Sequence, residues 1–169
     1  MIVLRPTLKL AKQLNLAPLP DSAEATNTHC DWCVRPFGVG RIQYLIFTNT
    51  ASLFSFITRK KGVTNAKTLF DAFATVLEDY LRATERGGIF GQMIAPAIGE
   101  CAFTRCRDRS VIGSMNDLVF QSTCLIELAD RHPFKLFDDL NSTPMGALEM
   151  DNPGKVFAFM PAKPPSRRG

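Results

Sequence analysis

The segment between Thr64 and Gly88 constrains this chain more than any other. Leu69, Phe70, Phe73, Val76, Leu77, Tyr80 and Leu81 recur at the i, i+3, i+4, i+7 spacing of a single helix face. Thr64 or Asn65 is placed to cap the start, and Gly87-Gly88 to stop the helix. A face that wide is suited to lying on a sheet, and the preceding residues supply one. Cys30–Phe37 is extended, Gly38-Val39-Gly40 turns, and Arg41–Thr48 is β-prone through Ile42, Tyr44, Leu45, Ile46 and Phe47. Asn49-Thr50-Ala51 turns again into Leu53–Thr58. Both faces of these strands are partly apolar, so at least one strand is central and covered.

The rest of the chain adds helices and late strands. Residues 2–4 read as a short strand, and Pro6-Thr7 open a short helix carrying Leu8, Ala11 and Leu14. Residues 17–28, with Pro18, Pro20 and Asp21, form a loop. Ile89–Ala95 makes a second helix ended near Pro96, and a strand starts at Cys101. Phe134, Phe137 and Leu140 mark an amphipathic helix after His132-Pro133. Asn141 to Pro144 leads into a turn around Met145 and Leu148. Asp151-Asn152-Pro153-Gly154 is a turn signal, and Lys155–Met160 reads as a final strand. Strands followed mostly by helices predict a single α+β domain over residues 1–160, with an antiparallel or mixed sheet packed by several helices. Residues 161–169 read as a disordered, Pro-rich basic tail.

That tail matters to the charge argument. The chain carries +4 overall, but Lys163, Arg167 and Arg168 lie in the tail, so the folded body is nearly neutral. Basicity therefore gives little support to nucleic-acid binding by the domain itself. No apolar run is long enough to span a bilayer, and the N-terminus has no signal-peptide pattern; the cytoplasm is the expected compartment. Five cysteines, an odd number, do not point to a disulfide framework. Cys30 and Cys33 form a Cys-x-x-Cys, but its only partner pair for zinc would be Cys101 with Cys106, and Val34-Arg35-Pro36 does not suit a thioredoxin-like helix start. Neither a metal nor a cofactor is expected. Dinucleotide, Walker-type, metalloprotease and nucleophile-elbow patterns do not occur.

The signals for a ligand converge on residues 105–117. Arg105, Arg107 and Arg109 alternate along an expected strand end, Gly113 reads as a tight turn, and a helix is expected from about Met115 to Ala129. Such a junction aims backbone N–H groups at whatever lies in front of it, and points to an anion site of Arg105, Arg107, Arg109, Ser110, Gly113, Ser114 and Asn116. Ser114 and Asp117 also have capping-box spacing, which explains both without a ligand. The two accounts stay open: the arginines face an anion, or they brace the junction.

Arg109 to Asp117, Arg-Ser-Val-Ile-Gly-Ser-Met-Asn-Asp, resembles the signature of an uncharacterised family of small bacterial proteins, a domain of unknown function. Leu10–Leu14, Asp31-Trp32, Gln43–Asn49 and Leu140-Asn141 through Pro144-Met145 are similar in the same order. The resemblance covers most of residues 1–148 and implies a bacterial, cytoplasmic single domain with no assigned activity. Cys30 and Cys33 are not part of it. The leading expectation is a non-enzymatic binding or interaction domain contacting a small anion or a protein through residues 105–117. The second is a small enzyme acting on a phosphorylated or nucleotide-like substrate at the same corner. The third is a nucleic-acid-associated protein using Arg35, Arg59, Lys60, Lys61 and the tail.

Overall fold

Side chains of the second strand alternate between the two faces of one sheet, and each face carries a packed layer. The computed structural model describes residues 1–16, 18–128 and 132–162. Five strands form a mixed sheet in the order β4-β3-β2-β1-β5. They are β1 (Ile2–Pro6), β2 (Asp31–Val39), β3 (Ile42–Asn49), β4 (Ser55–Arg59) and β5 (Cys101–Phe103). The expected meander is β2-β3-β4, antiparallel throughout. The N-terminal strand β1 pairs parallel with both β2 and β5, and the short helix α1 (Leu8–Gln13) follows it.

Trp32 is the hub of one face. Its ring meets Phe54, Phe56, Phe73 and Phe157 edge-on, at centroid distances of 5.4–6.4 Å, and its Nε1 donates to the His29 carbonyl at 2.8 Å. Phe73 belongs to α2 (Ala66–Arg82), which buries Leu69, Phe73, Leu77, Tyr80 and Leu81 as its spacing predicts. Asn65 caps α2 in a reciprocal box: its Oδ1 accepts from the Thr68 amide, and Thr68 Oγ1 accepts from the Asn65 amide. Cys33, Arg35 and Phe37 point to the opposite face by strand alternation. That face is covered by α4 (Arg109–Leu128), whose Val111, Met115, Leu118 and Ser122 are buried.

Two asparagines join the elements. Asn49 closes the β3–β4 turn: its Oδ1 accepts from the Ser52 amide and hydroxyl, and its Nδ2 donates to the Thr28 and Asp31 carbonyls. Asn141 sits on α5 (Pro133–Ser142), accepts from the Ser55 amide at 2.8 Å and donates to the Ser55 carbonyl at 2.8 Å. The side chain thus stands in for a neighbouring strand at that point on the edge of β4.

Three local expectations are corrected. The last segment is not a strand: Pro153–Phe159 is helix α6, because Asn152 accepts from the Lys155 amide and Pro153 occupies the first turn, where its missing N–H costs nothing. Phe157 of this helix is fully buried against Phe54. The segment after α2 is α3 (Gly87–Ile89), continued by a π-helical turn, Phe90–Ile94, rather than a plain helix ending at Pro96. The third correction, at residues 105–117, concerns the candidate site. The expected tail overlaps residues 163–169, which lie outside the described residues, as does the expected helix end at Ala129.

Candidate functional site

Residues 105–117 do not form a strand, a glycine turn and a capped helix. The strand β5 ends at Phe103, an irregular connector follows, and α4 already begins at Arg109. Gly113 is therefore inside the helix, facing open space, with no atom beyond its own stretch of helix backbone within 4 Å of where a Cβ would stand. Ser114 is buried in the helix interior and Asp117 lies exposed one turn on, so neither caps it. The cap is Asp108, whose Oδ1 accepts from the amides of Ser110 (2.8 Å) and Val111 (3.2 Å). The burial of Val111, Met115 and Leu118 accounts for the helix continuing through a glycine, since packing outweighs a propensity cost of about 1 kcal/mol.

The arginines of this corner are placed differently from one another. Arg107 reaches Asp21 at 2.5 Å and Arg105 lies 3.7 Å from the same carboxylate, so both heads brace the connector against the 18–28 loop. Arg35 of β2 donates to Asn116 Oδ1, tying the sheet to α4. Arg109 and Ser110 are exposed at the helix start. Beneath them Arg5 forms a two-pronged pair with the buried Asp31, at 2.6 and 3.0 Å, and donates to Thr104 Oγ1 at 2.8 Å. Cys33 and Cys106 are joined as a disulfide with Cα atoms 6.1 Å apart, which the odd cysteine count had argued against. The connector between β5 and α4 is thus fastened covalently to β2 and by charge to the 18–28 loop.

Cys30 and His29 are settled into the core. Burial pushes the Cys30 thiol up to about 11 and that of Cys101 up to about 12. His29 is buried, with Nε2 on the Phe157 carbonyl at 3.0 Å, and burial lowers its pKa below 6.5. It stays a neutral core histidine at physiological pH. His132 caps α5, its Nδ1 accepting from the Phe134 amide at 3.3 Å. Among the described residues, no group of three or more His, Cys, Asp or Glu is placed to hold a metal ion.

Free charge gathers at another end of the molecule. The β2–β3 hairpin and the turn after β4 lie side by side because the register sets Tyr44 opposite Arg59 and the Lys60 amide bonds the Gln43 carbonyl at 2.9 Å. Arg41, Arg59, Lys60 and Lys61 therefore rim one depression together with Ile42 and Gln43. Among the described residues none of these four cations pairs with an acid. Arg59 and Ile42 also line a larger groove of about 760 Å³ along the outer side of β4. Its walls are Tyr44 and Ile57 of the sheet, Val76 and Asp79 of α2, Ile126 of α4, and Phe134 and Phe137 of α5. Asp79 is the one acid in that lining. The run Arg59-Lys60-Lys61 is legible in the sequence, whereas Arg41 and the groove join it only through the hairpin register. Arg35, grouped with them in the sequence, is engaged with Asn116 instead.

The sequence profile of a family described as Domain of unknown function (DUF6933) matches residues 3–156, from β1 into α6. The curated proteins contain no match. No described helix is long and apolar enough to cross a membrane.

Proposed function

The chain belongs to this family of domains of unknown function, and on its own geometry we propose that it is a binding domain whose contact surface is the basic end of the sheet with the groove beside it. The partner carries negative charge next to an apolar portion. One observation carries this reading: four cations without acidic partners among the described residues, Arg41, Arg59, Lys60 and Lys61, adjoin a groove walled by Tyr44, Ile57, Val76, Phe134 and Phe137. Unpaired like charges repel one another, and an anionic partner relieves that repulsion while gaining counterion release. The anion-site reading of residues 105–117 has less support, because Arg105 and Arg107 converge on Asp21 and Asn116 holds Arg35. An enzyme acting there would need free arginine heads beside a titratable group.

The test is an amide chemical-shift titration of the intact chain with poly-glutamate at low and at physiological salt. Shifts are expected at residues 41–43 and 57–61, weakening as salt rises. Shifts centred on residues 105–117, or none at low salt, would overturn the reading. A parallel titration with a DNA duplex decides whether the anion is nucleic acid, in which case binding falls steeply with salt and is tighter than that of poly-glutamate.

A further inference from the structure

Resting on the reading above, we infer that the outer edge of β4 receives an extended acidic-apolar peptide as a sixth strand of the sheet. The parity of β4 carries the argument. Phe54 and Lys60 bond inward, the Phe54 carbonyl to the Asn49 amide and the Lys60 amide to the Gln43 carbonyl. Ser55 bonds outward, both its amide and its carbonyl held by Asn141. Antiparallel alternation then turns the amides and carbonyls of Ile57 and Arg59 outward as well. Among the described residues these groups have no hydrogen-bond partner outside the strand ladder. They open onto the groove.

The fold shows what this edge accepts. Asn141 satisfies Ser55 with the donor and acceptor spacing of a neighbouring strand, and it blocks that end. An incoming chain must therefore pair with Ile57 and Arg59, a length of about five residues. Its alternating side chains would fall on the two sides of the sheet edge, toward Tyr44 and Ile126 on one side and Val76 and Phe137 on the other. Beyond Arg59 the chain meets Lys60, Lys61 and Arg41, so that end must be acidic. Charge also argues against a second copy of this chain as the occupant, since its own β4 carries the same cations. Edge lysines and arginines also guard strands from aggregation, and the experiment separates that role from recognition.

Short displayed peptides with β-branched apolar positions beside an acidic run are selected on the intact chain, and the tightest is measured by fluorescence polarisation. Cross-strand contacts between peptide and β4 are expected, with the Ile57 amide exchanging at least about tenfold more slowly when the peptide is bound. Arg59→Ala and Arg59→Pro both remove the charge, but only proline removes the outward amide, so Arg59→Pro should bind about fivefold more weakly still. A peptide that binds without protecting Ile57 overturns strand addition. If poly-glutamate binds and no peptide does, the basic surface stands and strand addition fails. If neither binds, and replacing Lys60 and Lys61 makes the protein self-associate, the cations only guard the edge and both readings fail.

Discussion

The corner at residues 105–117 and the basic end at residues 41 and 59–61 differ in a way that separates structural charge from available charge. The corner is conspicuous in the sequence, with three alternating arginines and a Gly-Ser-Met-Asn-Asp run. In the fold two of those arginines meet Asp21, Asn116 meets Arg35, and Cys106 is bonded to Cys33. The basic end is unremarkable in sequence, a short Arg-Lys-Lys before a glycine. Folding adds Arg41 from another turn, leaves all four without acids among the described residues, and sets an apolar groove beside them. A cluster of cations is thus weak evidence of a ligand until its counter-charges are counted.

The comparison can be broken from the corner's side. The largest expected effect is covalent: the Cys33–Cys106 bond closes a loop of separation 73. Reduction should cost about 2–4 kcal/mol of stability, read as a lower melting temperature with reductant and no further loss in Cys33→Ser. An unchanged melting temperature would mean that the corner is not held this way. Next comes the cap. Asp108→Ala should cost about 1 kcal/mol in urea denaturation, while Asp117→Ala, exposed in the helix interior, should fall within about 0.5 kcal/mol of wild type. The reverse order would restore the cap at Ser114 and Asp117. The smallest effect is Gly113→Ala, which should stabilise by about 0.5–1 kcal/mol, since the position is helical and open. Destabilisation there would show that Gly113 does not sit in a regular helix.

Much of the architecture was legible because it depends on local periodicity. The face of α2, its start at Thr64 or Asn65, and the three antiparallel strands all follow from spacing and turn residues. What failed depended on packing or on distance. Lys155–Met160 has a β-prone composition, but Asn152 and Pro153, read as a turn, are instead a helix start, and Phe157 then reaches Trp32. Gly113 is a turn residue by habit, yet the buried side of α4 carries the helix through it. The Cys33–Cys106 pair and the grouping of Arg41 with Arg59 join residues far apart in the chain, and no local pattern announces either. Parts of the family resemblance also acquire a physical reason: Asp31 anchors Arg5, Trp32 centres the aromatic core, Asn49 closes a turn and Asn141 satisfies the edge of β4.

The central claim is that the available charge lies at the basic end and not at the corner. Two variants in the poly-glutamate titration test it most directly: Arg59→Glu/Lys60→Glu/Lys61→Glu, and Arg105→Ala/Arg107→Ala/Arg109→Ala. The first should weaken binding more than about tenfold at low salt while leaving the melt near that of wild type, since these side chains have no acidic partners among the described residues. The second should bind within about twofold of wild type and lose no more than about 1 kcal/mol of stability, because its ion pairs with Asp21 are solvent-exposed. Binding lost in the second variant and kept in the first would contradict the account.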